Sequence, residues 1–137
     1  MSFKEIPLMK LSEGTVLFHP YISKNSFKNV KKVLSGRWIG QGPLVDKFEL
    51  KFKSMFAKTN QCLSTGSGTD ALHLSYILAG LKKGDEVIAP LFTCTATNIP
   101  FLYMGVKIKF ADIDPETMNI SVDSVKKLIS KKTKAII

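Results

Sequence analysis

The chain has 137 residues, a formal net charge of +9 and a 45% hydrophobic content. That length holds one small domain with a real core, and the ordinary apolar content excludes wholesale disorder. No apolar run reaches membrane-spanning length and the first residues carry no signal-peptide core, so the expectation is a cytoplasmic protein without a membrane partner.

In chain order, Met1 to Leu17 shows little periodicity, with Pro7 and Gly14 interrupting it, and reads as an extended arm. Lys24 to Leu34 is a short helix with Phe27, Val30, Val33 and Leu34 on one side, capped by Asn25 or Ser26 and ended by Ser35-Gly36. Arg37 to Pro43 is a glycine-rich loop; its Trp38-Ile39 pair either docks on the core or borders a pocket. Pro43 opens a second helix, with Leu44, Phe48, Phe52 and Met55 at helical spacing as far as about Ala57. Gln61 to Ser64 reads as a first strand, in which Cys62 is a buried thiol.

A crowded turn follows, Thr65-Gly66-Ser67-Gly68-Thr69, and then a helix from about Asp70 to Ala79, closed by Gly80. The first N–H groups of a helix lack intrahelical partners and carry the positive end of its dipole. Glycines admit an anion closely, and the hydroxyls of Ser67 and Thr69 add donors, so a phosphate fits here. An ordinary turn capped by Thr69 or Asp70 explains the same residues. The pattern is neither a Walker loop nor the GxGxxG fingerprint, because no Gly-Lys-Ser/Thr follows and position 71 is alanine. His73 falls in the first turns of this helix and reads as packing or surface.

Glu86 to Ala89 is a second strand ended by Pro90, and Thr93 to Thr97 a loop rich in hydroxyls that holds Cys94. A helix then runs from about Thr95 to Tyr103, closed by Gly105, and Lys107 to Ile113 is a third strand. Asp112, Asp114 and Glu116 cluster in the next turn, where an acid/base or metal role competes with a plain turn after a strand. Ser121 caps a last helix carrying Val122, Val125, Leu128 and Ile129, and Lys134 to Ile137 begins a fourth strand. Strands alternating with helices imply an α/β fold with a mostly parallel sheet between helical layers. In such folds ligands bind at the carboxyl ends of the strands, where the glycine turn and the hydroxyl loop both lie.

The charge and the cysteines add exclusions. The basic residues are nineteen lysines and one arginine, Arg37. They are scattered, and many, such as Lys28, Lys47, Lys51 and Lys126, fall on polar helix faces, so no nucleic-acid partner is expected. Cys62 and Cys94 form no CxxC pair and have no histidine cluster nearby; His19 and His73 are far apart, and no metal site is expected.

Several stretches together resemble one family. They are Ser35-Gly36-Arg37-Trp38-Ile39-Gly40-Gln41-Gly42-Pro43 with Phe48-Glu49, then Ser67-Gly68-Thr69-Asp70-Ala71-Leu72-His73-Leu74, then Gly84-Asp85-Glu86-Val87-Ile88. Phe92-Thr93 with Ala96-Thr97-Asn98, Asp112-Ile113-Asp114-Pro115 and Lys132-Thr133-Lys134-Ala135-Ile136 follow. In this order and spacing they resemble the DegT/DnrJ/EryC1/StrS family of pyridoxal-phosphate-dependent nucleotide-sugar aminotransferases, with the three-layer fold-type-I architecture. The resemblance implies that Ser67, Gly68, Thr69 and Asp70 hold the phosphate of pyridoxal 5'-phosphate. It places Cys94 where many members set an aromatic ring against the pyridine face. It divides the chain into an arm and helix over 1–34 and the incomplete first part of the cofactor domain over 35–137.

The implied activity moves an amino group, with glutamate as donor, to a nucleotide-linked keto-sugar in a homodimeric enzyme. None of the lysines present matches the family's Schiff-base lysine, so the resemblance names no catalytic residue here and implies a fragment inactive alone. Two alternatives stay open: a sugar dehydratase of the same family, in which histidine replaces that lysine, and a catalytically dead remnant or binding module.

Overall fold

The computed structural model describes residues 20–58 and 60–137. The expected arm over Met1 to Leu17 and His19 lie outside the described residues. The chain divides into two compact units, one ending at Phe48 and one running from Glu49 to Ile137.

In the first unit, α1 spans Lys24–Leu34. Its cap is Ser23, two or three residues before the expected Asn25 or Ser26: the Ser23 hydroxyl accepts the Asn25 N–H at 3.3 Å. Ser23 alone has the extended backbone that lets a side chain turn back on the first turn. The helix stops at Ser35, whose N–H returns to the Lys31 carbonyl. Trp38 and Ile39 are both exposed, and the Trp38 indole N–H donates to the Gln41 carbonyl. Pro43 begins α2, Pro43–Phe52, which carries the chain into the second unit, and a π-helical turn over Lys53–Ala57 extends it.

The second unit contains every buried apolar residue among the described residues. Its elements are α3 (Gly68–Leu78), β1 (Glu86–Pro90), α4 (Thr95–Met104), β2 (Lys107–Ala111), α5 (Val122–Leu128) and β3 (Thr133–Ile136). The sheet order is β2-β1-β3, with β1 parallel to both neighbours. β1 is central, which explains its composition. Val87, Ile88 and Ala89 are all fully buried, an unbroken apolar run of the kind a strand covered on both faces requires.

Successive residues of β1 serve opposite faces. Val87 packs with Tyr76 and Leu72 of α3, Phe101 of α4, and Val106. Ile88 packs with Ala111 and with Val125 of α5. The sheet is therefore sandwiched, α3 and α4 on one face and α5 on the other, and the expected three-layer α/β fold is present. The largest fully buried side chain is Phe101, whose ring stacks on Tyr76 with centroids 4.3 Å apart. Gly105 ends α4 in the left-handed region, at φ 67°, where a side chain would be strained.

The expected first strand at Gln61 to Ser64 is absent. A strand needs a hydrogen-bonded neighbour, and this segment pairs with no strand among the described residues. What was expected as the fourth strand is thus the third, β3. Cys62 is half-buried rather than enclosed.

A polar knot ties β1 to its neighbours. Glu86 meets the Lys109 ammonium at 2.8 Å and accepts the Ser130 hydroxyl at 2.8 Å. Lys109 also donates to the Leu128 carbonyl at the end of α5, where the helix dipole favours a cation. The Lys109 and Ser130 hydrogen bonds hold the Glu86 carboxyl below the usual carboxylate range. Glu49 is lowered by the Ser64 N–H and hydroxyl, and Asp114 by the Thr117 and Glu116 N–H groups. A carboxyl whose pKa is lower folded than unfolded stabilises the protein above its unfolded pKa, and that contribution is lost as pH falls through the folded value. The urea midpoint is therefore expected to be flat near neutrality and to drop below about pH 4, the carboxylate range. Glu86→Gln should show a shallower drop; an equal drop would remove Glu86 from the acid-sensitive set.

Candidate functional site

Helix α3 starts at Gly68, two residues earlier than the hydrophobic pattern suggests. Its cap is Ser67, not Thr69 or Asp70: the Ser67 hydroxyl accepts the Asp70 N–H at 3.1 Å and its carbonyl accepts the Ala71 N–H at 3.1 Å. Those two bonds use the third and fourth N–H groups of the helix. The first two, on Gly68 and Thr69, meet no acceptor among the described residues. Thr69 also has a hydroxyl with no partner there, and Thr65 closes the turn by donating to the Ser67 carbonyl at 2.9 Å. Two aimed amides, a hydroxyl and the positive end of an eleven-residue helix make a receptor for an anion.

Gly68 adds an independent indication. A Cβ built there meets nothing within 4 Å, and its φ is not in the left-handed region. Neither backbone conformation nor packing requires glycine, yet glycine weakens a helix relative to alanine. Gly68 itself carries one of the two free amides. Gly66 differs, because a Cβ there comes within 3.0 Å of the Asp70 carboxylate.

The second loop lies at the carboxyl end of β1. Pro90 leads to Cys94, the cap position of α4, where the thiol is exposed and makes no capping bond. The Thr93 and Thr97 hydroxyls are 3.1 Å apart, and the Asn98 amide donates to the Pro90 carbonyl at 3.2 Å. The Asn98 carbonyl oxygen is buried without a protein partner. Tyr76 of α3 donates to the Thr97 carbonyl at 3.1 Å, joining the two helices near the start of α4. α3 leads through the Gly80–Gly84 turn into the start of β1, so its N-terminus faces the rim where β1 ends and α4 begins. Helix and strand suit this: eleven residues of helix and five of strand both span roughly 16 Å.

Ser67, Gly68, Thr69 and Asp70 are thus together, but with different tasks. Gly68 and Thr69 offer donors, Ser67 is the cap, and the Asp70 N–H is already used by it. The acidic turn over 112–116 is structural: Asp114 accepts the N–H groups of Glu116 and Thr117 at 3.0 and 2.9 Å. His73 is half-buried within α3. Glu49 was legible only as part of the Phe48-Glu49 stretch, with no role attached; its carboxylate receives both the N–H and the hydroxyl of Ser64, at 2.7 and 2.8 Å.

These features define an α/β protein with an anion-receptive helix terminus on the carboxyl rim of a parallel sheet. The chain belongs to the DegT/DnrJ/EryC1/StrS aminotransferase family, whose model matches residues 20–137. It is 35% identical over 121 residues to the GDP-perosamine synthase of Vibrio cholerae, covering 88% of this chain and 33% of that protein. Among solved structures it matches the GDP-4-keto-6-deoxy-D-mannose-3-dehydratase of Escherichia coli with bound hydrated PLP, at TM-score 0.74 and 31% identity, covering 88% of this chain and 32% of the other. It also matches the sugar aminotransferase CalS13 of Micromonospora echinospora, at TM-score 0.71 and 31% identity, covering 85% and 31%. The chain spans about a third of the length of these relatives.

Proposed function

We propose that this chain is the phosphate-holding part of a pyridoxal-phosphate-dependent enzyme that moves an amino group from glutamate to a nucleotide-linked keto-sugar. The observation that carries the reading is the pair of unaccepted amides at Gly68 and Thr69, beside a glycine that the fold does not require. The residues fit the cofactor. Gly68 and Thr69 would donate to its phosphate and the Thr69 hydroxyl would add a donor, while Ser67 holds the helix start and Asp70 follows in the first turn. Cys94 lies on the neighbouring loop with an exposed thiol, which would face the ring in place of an aromatic side chain. When bound, the cofactor supplies the electron sink for transamination. This chain's residues bind and orient it. The lysine that attaches it is not among them, and the chain alone is inactive.

Residues 35–137 are the first part of the cofactor domain. The complete enzyme is a homodimer of the cytoplasm. Exposed Phe56, Leu63, Leu78 and Tyr103 favour burial against further protein surface, and the free thiols Cys62 and Cys94 suit a reducing compartment. A dehydratase is the second reading, supported by the similarity to the Escherichia coli dehydratase.

Titrating the chain with pyridoxal 5'-phosphate tests the reading. Saturable binding at one site, displaced by inorganic phosphate, is expected, and borohydride reduction should fix no single lysine. A stoichiometric adduct at one defined lysine would contradict the absence of the attaching residue. Binding indifferent to phosphate would contradict the cradle.

A further inference from the structure

We propose that Glu49 is the positioning residue of the phosphate cradle, acting through Ser64; the proposal rests on the cradle reading above. The approach to the cradle, residues 60–65, has no strand partner among the described residues, so no ladder fixes where it lies. Two polar links from the end of α2 and its π-helical extension do so instead. One Glu49 carboxylate oxygen accepts the Ser64 N–H at 2.7 Å and the Ser64 hydroxyl at 2.8 Å. Four residues along the helix, the Lys53 ammonium reaches the Gln61 side-chain oxygen at 3.4 Å.

The Glu49 contacts are short and charge-assisted, and they grip one residue by both backbone and side chain. Ser64 is followed at once by Thr65, which closes the turn on the Ser67 carbonyl, and then by the Gly68 and Thr69 amides. A shift at Ser64 therefore passes through three residues to the donors. Glu49 touches no ligand; it sets where the donors point. An anion site depends on such preorganisation, since donors that must be ordered on binding lose affinity to the ordering.

The experiment compares the chain with Glu49→Ala, Glu49→Gln and Glu49→Asp, each titrated with inorganic phosphate and with pyridoxal 5'-phosphate, with a thermal melt of each variant. Glu49→Ala should weaken phosphate binding about tenfold, the scale of losing charge-assisted hydrogen bonds that order the site. Glu49→Gln keeps an oxygen able to accept both Ser64 hydrogens and should return to within about threefold of the native affinity. Glu49→Asp keeps the charge but is one methylene short, and should resemble alanine. If the alanine variant does not melt cooperatively, the Gln and Asp pair carries the comparison. Native affinity in Glu49→Ala or Glu49→Asp overturns the proposal while leaving the cradle intact, as does Glu49→Gln no better than Ala or Asp. Failure of the unaltered chain to bind phosphate overturns the cradle and the proposal together.

Discussion

Phe101→Ala is expected to cost about 3–5 kcal/mol, the range for truncating a fully buried phenylalanine. Phe101 has no solvent exposure and is the largest of the fully buried side chains. It stacks on Tyr76, and it packs with Leu81, Val87 and Val106 in the core between the sheet and the α3/α4 layer. Removing the ring leaves a cavity beside Tyr76, whose hydroxyl donates to the Thr97 carbonyl and ties α3 to α4. Small domains have only about 5–15 kcal/mol in total, so the variant loses a large share of its stability. The next residue provides the control. Leu102 is 65% exposed, and Leu102→Ala should stay within about 0.5 kcal/mol of the native chain. Urea denaturation of both variants decides the matter; equal midpoints would mean that the α3/α4 layer does not pack on the sheet as described.

Most of the α/β order was legible from local patterns, and the exceptions share a cause. The helices at 24–34, 43–52 and 95–104 follow from apolar spacing and from breakers at Ser35-Gly36 and Gly105, which act within a few residues. The central strand was legible because Val87-Ile88-Ala89 is an apolar run between Gly84-Asp85 and Pro90. Gln61 to Ser64 has comparable strand character but no partner, and pairing is a property of two segments, which no local pattern contains. The caps at Ser23 and Ser67 were misplaced by a few residues because any nearby Ser, Thr, Asp or Asn can cap, and only backbone conformation chooses among them. The role of Glu49 was not legible because its partner is fifteen residues away in sequence and unmarked by composition.

The candidate site was legible to a different degree. The glycine turn and a helix start pointed to an anion by chemistry alone, and the family motifs pointed to a particular phosphate. The division of labour within the turn came from the geometry. Ser67 spends its hydroxyl on Asp70, which leaves Gly68 and Thr69 as the donors.

Gly68→Val carries the second large effect, and it separates binding from folding. A Cβ at Gly68 meets no atom within 4 Å beyond its chain neighbours and its own helix backbone, so the fold should accept valine with a melting curve close to the native one. The same side chain stands on the residue that carries one of the free amides, and it should weaken phosphate binding at least about tenfold, or about 1.4 kcal/mol. Loss of binding with loss of folding would instead assign Gly68 a structural role. Unchanged binding would place the anion elsewhere.

The donors themselves can be observed. The amide NMR resonances of the chain, followed through a titration with pyridoxal 5'-phosphate, test whether Gly68 and Thr69 hold the phosphate. The largest shifts are expected at those two amides, reproduced in part by inorganic phosphate and abolished in Gly68→Val. Shifts dispersed over the lysine-rich helix faces, with Gly68 and Thr69 unmoved, would contradict the assignment of this turn as the cofactor's phosphate cradle.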